Sequence, residues 1–213
     1  MREVIWKEEV TMTGIEPVLS FSENLPDVSS LRRMCFTGVR GVGKSSVLKE
    51  IDGLFPSVSF TSGSDILQEI MGDLYSQFEY LPERKKYAYR LKIRDILAEI
   101  QQQKQKDLLV DSHLTVYNLK TGDIDVIYTH RDYGFYTDII LLDSNPKRIL
   151  DHRQRDTKKK RIVDIDIIKQ ELEFERNKAS EISNEHGIKL HVIQMGENAA
   201  QNLANIIAGI SSN

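Results

Sequence analysis

Gly38-Val-Arg-Gly-Val-Gly-Lys-Ser45 constrains this chain more than any other stretch, because it fits the pattern G-x-x-x-x-G-K-[ST] in full. The pattern dictates a local fold. Glycines at Gly38, Gly41 and Gly43 allow tight turns that aim successive backbone N–H groups at one point. Such a loop has to leave a strand and enter a helix. Met34-Cys-Phe36 supplies the strand, and residues 44–54 supply the helical pattern. The convergent donors and the helix start suit the phosphates of a nucleoside triphosphate, expected to be ATP with Mg²⁺. Gly38, Arg40, Gly41, Val42, Gly43, Lys44, Ser45 and Ser46 are the expected binding loop. Lys44 should reach the β- and γ-phosphates, and the Ser45 hydroxyl should ligate Mg²⁺.

Beyond the loop, apolar strand-like runs alternate with helical patterns. Val58-Ser-Phe60, Asp107-Leu-Leu-Val-Asp111, Asp138-Ile-Ile-Leu-Leu-Asp143 and Ile188-Lys-Leu-His-Val-Ile193 read as strands. Residues 64–75 and the stretch from Pro82 to Gln103 read as helices, the second with an apolar stripe at Tyr89, Ile93, Ile96 and Ile100. Asp164 or Asp166 can cap a helix that carries Ile168, Leu172, Ala179 and Ile182, and residues 199–210 close the chain as a helix. The alternation predicts an α/β chain with a three-layer α/β/α arrangement and a mainly parallel central sheet. Ligands in such folds sit at the carboxyl ends of the strands, where the glycine loop and Asp111 both fall. Residues 1–30 stand apart. They are acidic, with candidate strands at Val4-Ile-Trp6 and Val18-Leu-Ser-Phe21 around a turn at Thr13-Gly14. They are expected to be an N-terminal extension to a domain spanning 31–213, packed on it or serving as a partner-binding or self-association arm.

Asp111 ends an apolar strand as the second acidic element of a phosphate-loop site would, placed to hold Mg²⁺ through water or to orient an acceptor. His113 and Thr115 follow it and are expected to line the same cleft. From Lys147 to Arg161 there are eight Lys/Arg and two Asp. Phosphoryl transfer needs cations around the transferred group, so this run is expected to be a short mobile lid, with Arg153, Arg155 and Arg161 among the catalytic residues. A second basic set, Arg84, Lys85, Lys86, Arg90, Lys92 and Arg94, reads mostly as a solvated helix face, Arg94 excepted.

Composition removes several alternatives. A formal charge of −3 over 213 residues does not suit a dedicated nucleic-acid binder. The single cysteine, Cys35, excludes an intrachain disulfide and a cysteine-based zinc site, and its apolar neighbours suit an inert buried thiol. No run is long enough to span a bilayer and the N-terminus has no signal-like apolar region, so a cytoplasmic protein without membrane contact is expected. A guanine-specific motif N-K-x-D is missing, since Asn145-Pro-Lys-Arg148 fails it at two positions.

Taken in order, the glycine loop, the carboxylate-tipped strand and the arginine-rich run resemble a nucleoside monophosphate kinase-like P-loop NTPase, most closely the archaeal adenylate kinase family. Thr37-Gly-Val-Arg-Gly-Val-Gly43 is similar to that family's T-G-V-P-G-V-G loop, with Arg40 in place of proline. Val110-Asp-Ser-His-Leu-Thr-Val116 is similar to its V-D-T-H-x-T-V segment, and Arg153 to Arg161 to its lid. The resemblance implies that Ser62-Gly-Ser64, with Ser64 in contact, forms the acceptor loop and that Arg94 grips an acceptor phosphate. It places Asp111, His113 and Thr115 at the acceptor as well. Asp123-Ile-Asp-Val-Ile-Tyr128-Thr-His-Arg131 departs from the family's glycine- and proline-containing continuation, in a region that shapes the acceptor pocket. The implied activity is transfer of the γ-phosphoryl group of Mg·ATP to a nucleotide. The alternatives are a kinase for another small metabolite, or a slow ATPase that regulates a protein partner.

Overall fold

The computed structural model describes residues 28–157 and 161–209. The expected strands at Val4–Trp6 and Val18–Phe21 lie outside the described residues, as do Lys158, Lys159 and Lys160.

Five parallel strands form the central sheet: β1 (Arg33–Thr37), β2 (Val58–Ser62), β3 (Asp107–Asp111), β6 (Asp138–Asp143) and β7 (Lys189–Gln194), in the order β2-β3-β1-β6-β7. Strand alternation divides their side chains between two cores. Met34, Phe36, Leu109, Ile140 and Leu142 face one side. There they meet Val47 and Ile51 of α1 (Lys44–Glu50) and Leu203 and Ile207 of α6 (Ala199–Ile207). Cys35, Leu108, Val110, Ile139 and Leu141 face the other side. There they meet Ile66 of α2 (Gly63–Met71) and Leu97 of α3 (Glu83–Lys104). The long helix α5 (Ile165–His186) supplies Ile168 and Leu172 to the first core, and Ala179 and Ile182 to the second. Burial raises the Cys35 thiol pKa well above its ordinary value, so it stays protonated and inert.

Helix starts follow local chemistry. The Asp164 carboxylate accepts from the N–H groups of Asp166 and Ile167, and Ser62 Oγ accepts from Asp65 N at the start of α2. A 3₁₀ segment, Gly72–Tyr80, continues from α2 and buries none of its side chains.

Two elements depart from the sequence reading. A short antiparallel hairpin pairs β4 (Thr115–Tyr117) with β5 (Ile124–Val126). The basic run is mostly helix: α4 (Pro146–Arg155) starts at Pro146, with Asn145 Oδ1 accepting from Lys147 N at 2.8 Å. The lid expected over residues 148–161 is therefore not one mobile loop, because α4 takes it up as far as Arg155. No helix among the described residues is long and apolar enough to cross a membrane.

The chain leaves β1 for β2 on one side and later returns from β3 to β6 on the other. The loops after β1 and β3 consequently part and open a crevice between them. Phe36 pairs with Asp111 across these two strands, which sets the glycine loop beside the Asp111 carboxylate.

Candidate functional site

The loop after β1 is shaped by contacts on its buried side. Val39 and Val42 anchor it in the core, and Val42 N donates to Val39 O at 3.2 Å. Gly38 has φ +146°, and a Cβ there would lie 2.5 Å from Leu142 O, a clash with backbone. Gly43, at φ +114°, turns the chain into α1. Gly38→Ala is expected to raise the Kd for Mg·ATP about tenfold or more by distorting this turn, a change titration calorimetry would read.

Lys44 opens α1 and is 7% exposed. Its Nζ donates to Gly38 O at 3.0 Å and lies 3.6 Å from Asp111 Oδ1. Burial lowers its pKa, and the nearby carboxylates of Asp111 and Glu175 oppose the shift. His113 Nδ1 sits 2.7 Å from the same carbonyl of Gly38 and must carry a proton to donate to it. The approach of Lys44 Nζ to that nitrogen at 3.3 Å is then a meeting of two donors rather than a hydrogen bond. Burial first, then the Lys44 and Arg40 cations, push the His113 pKa well below its ordinary value. His113 is thus a neutral ring that braces the loop through Nδ1–H and keeps Nε2 as an acceptor.

The arginines of the basic run separate into three fates. Arg153, 4% exposed, donates from Nε and Nη2 to Arg40 O at 2.9 and 2.7 Å and pairs with Glu171 at 2.7 Å. Burial raises the Glu171 pKa, and Arg153 opposes that rise. Arg153 lines the cleft and, in this arrangement, serves as a strut under the loop. Arg155 is exposed on α4 and does not line the cleft. Arg161 does line it, and it lies 3.2 Å from Asp156. His152 Nδ1 is 3.2 Å from Gly41 O and adds a second brace from α4.

One cleft of about 720 Å³ joins the glycine loop to a second wall. Ser45, Ser46, Asp111 and His113 line the loop end, and Ser64 and Arg94 line the other. Arg94 lies over the Phe135 ring, 3.7 Å from its centroid, and burial lowers its pKa. Asp132 faces the same space. Burial raises its pKa, while hydrogen bonds from Thr129 N and Oγ1 hold it down. From the hairpin, Asn118 donates to Asp125 at 2.8 Å at the cleft edge. The segment that departs from the resembled family therefore does furnish this wall.

Two expectations are corrected here. Thr115 does not line the cleft. It is buried, and its N–H and hydroxyl both donate to the Glu175 carboxylate on α5. Lys86 and Arg90 are not a solvated face, since both line the cleft with Arg94. Their spacing of four residues was the available signal, because it stacks all three on one side of a helix.

A family model described as an AAA domain matches residues 37–170. Among curated proteins none matches this chain. Among solved structures, the shikimate kinase of Acinetobacter baumannii in complex with shikimate is similar at 14% identity and a TM-score of 0.56, covering 87% of this chain and 98% of that one. A gluconokinase from Sinorhizobium meliloti 1021 is similar at 13% identity and a TM-score of 0.51, covering 84% and 91%. The tunicamycin resistance protein of Deinococcus radiodurans is similar at 14% identity and a TM-score of 0.53, covering 84% and 94%. Likeness at this level of identity speaks to the fold.

Proposed function

The chain belongs to the AAA domain family, and from that premise we propose that it is an ATP-dependent phosphotransferase acting on a small anionic acceptor. The observation that carries the proposal is the single cleft. A phosphate-binding loop at one end opens directly into a wall of cations, phenols and carboxylates at the other. Bare hydrolysis has no use for such a wall. Transfer needs it, because an acceptor must be held in line with the γ-phosphoryl group.

In this reading the loop N–H groups and Lys44 hold the β- and γ-phosphates, and Arg161 reaches the transferred group from the cleft mouth. Lys44 would exchange its bond to Gly38 O for a phosphate oxygen. The Ser45 hydroxyl and the Asp111 carboxylate are hard oxygen ligands on the loop side, which suits Mg²⁺ arriving with ATP and retaining several waters. Bound there, Mg²⁺ would offset phosphate charge. His113 keeps the loop in shape, and its Nε2 acceptor and Asp111 are the groups available to orient an acceptor hydroxyl.

A nucleoside monophosphate remains the acceptor of first choice, supported by Ser64 and Arg94 opposite the loop. A kinase of another small metabolite is the second reading, favoured by the shikimate kinase and gluconokinase among its structural neighbours.

The test is an assay of ADP formation from Mg·ATP, alone and with nucleoside monophosphates, hydroxy acids and sugar acids. Stimulation by one acceptor with the matching phosphorylated product supports the kinase and names its substrate. Slow ADP release indifferent to every acceptor would support a regulatory ATPase instead. With the acceptor in hand, Arg94→Ala is expected to raise its KM or lower kcat, together about 10–100-fold in kcat/KM, with ATP affinity unchanged. Weakened ATP binding would place Arg94 on the donor side.

A further inference from the structure

Lys86, Arg90 and Arg94 stand one turn apart on α3, yet their surroundings differ. Arg94 is pinned over Phe135, with its Nε buried and unbonded. Arg90 is held by the Glu83 carboxylate. Lys86 is only 6% exposed, lines the cleft, and has neither a hydrogen bond nor an ion pair among the described residues. With its stem buried, the ammonium meets the cleft with no counter-charge beside it among the described residues. Whatever enters the cleft is the natural source of that charge.

Lys86 and Arg94 are eight residues apart, about 12 Å along the helix axis. Arg90, already paired, lies between them, and the guanidinium of Arg94 is fixed by its ring. One small anion does not serve both ends.

We infer that Lys86 forms a second anion-binding subsite, separate from that of Arg94, so that the acceptor, nucleotide or other metabolite, carries a further anionic group, phosphate or carboxylate, besides the one held by Arg94. Ile93 and Leu97 line the wall beside this ladder and would face the body of the ligand. The inference rests on the reading of α3 as the acceptor wall.

The test is titration calorimetry on the full chain saturated with Mg·ADP. The bisphosphate of hexanediol is compared with hexyl phosphate, and octanedioate with octanoate. The double-ended member of at least one pair is expected to bind about tenfold tighter, as for a second charge-assisted contact. A phosphate pair that shows the gain while the carboxylate pair does not identifies phosphate as the group, and the converse identifies carboxylate. Lys86→Gln should abolish the gain, and Lys86→Arg should keep it. Lys86→Met, which retains the apolar stem, replaces Gln if that variant melts early.

Equal affinity within both pairs, no binding of any probe, or a gain that survives Lys86→Gln overturns the subsite. A double-ended gain without phosphoryl transfer to any acceptor leaves the subsite standing and rejects the kinase. Efficient transfer to an acceptor with one anionic group rejects the subsite alone.

Discussion

Lys44→Ala is expected to lower turnover by about 10²–10³-fold or more, while the melting temperature changes little. The two halves of that expectation have separate causes. Lys44 Nζ is the cation at the floor of the loop, between Gly38 O and Asp111. Among the described residues no other cation is held at that floor, since Arg153 is committed to Arg40 O and Glu171. The fold tolerates the loss because a desolvated ammonium contributes little to stability, and alanine is a good residue for the first turn of α1. Lys44→Arg should fail almost as completely. A planar fork does not fit the space of a compact ammonium beneath the loop. Steady-state kinetics and thermal melts on the same samples test both halves. Unchanged turnover in Lys44→Ala would remove the loop from the reaction.

Glu175→Ala is expected to have the largest effect on stability. The side chain is fully buried in α5, and its two oxygens accept from Leu114 N, Thr115 N and the hydroxyls of Thr115 and Thr37. Alanine would strand these donors in the core, at a cost of about 3–5 kcal/mol. For a domain of this size that is a fall in Tm on the order of 10 °C. The donors belong to the end of β1 and the turn after β3, so activity should decline as His113 and Asp111 lose their placement. Glu175→Gln keeps the shape but turns an NH₂ group toward donors, and should melt between alanine and the parent. A Tm within about 2 °C of the parent for Glu175→Ala would show that water or a shift of the turn replaces these bonds.

How far the sequence carries the reader depends on the range of the interactions involved. The loop from Gly38 to Ser45 is legible because its geometry depends on its own glycines and on the strand and helix that flank it. The inner strands β1, β3 and β6 are legible because burial on both faces writes apolar runs such as Asp138–Asp143. Thr115 reads as a cleft residue because it follows Asp111 closely, yet its place is decided by Glu175, 60 residues away. Arg153 reads as a lid cation because its charge is visible in the sequence, whereas the carbonyl of Arg40 that it serves, 113 residues away, is not. In α4 charge density hid a helix that Asn145 and Pro146 had already announced. Lys86 and Arg90 do not stand out in the sequence, since basic residues on a polar helix usually face water. The small hairpin has strands of three residues each, too short for any alternation to register.

The 3₁₀ segment buries no side chain, and α3 buries only Lys86, Leu97 and Gln101. The stretch of the opposite wall between Gly72 and Arg94 is therefore a thin veneer on the protein, while the loop itself is rooted in the sheet through Gly38, Val39 and Val42. Inheritance should treat the two sides differently. Descendants of this chain can trade residues along the veneer and acquire new acceptors with small penalties to stability, whereas changes at the root jeopardise folding and ATP use together. A laboratory selection for altered acceptor preference should accordingly collect its substitutions between Gly72 and Arg94, and leave the strand ends untouched.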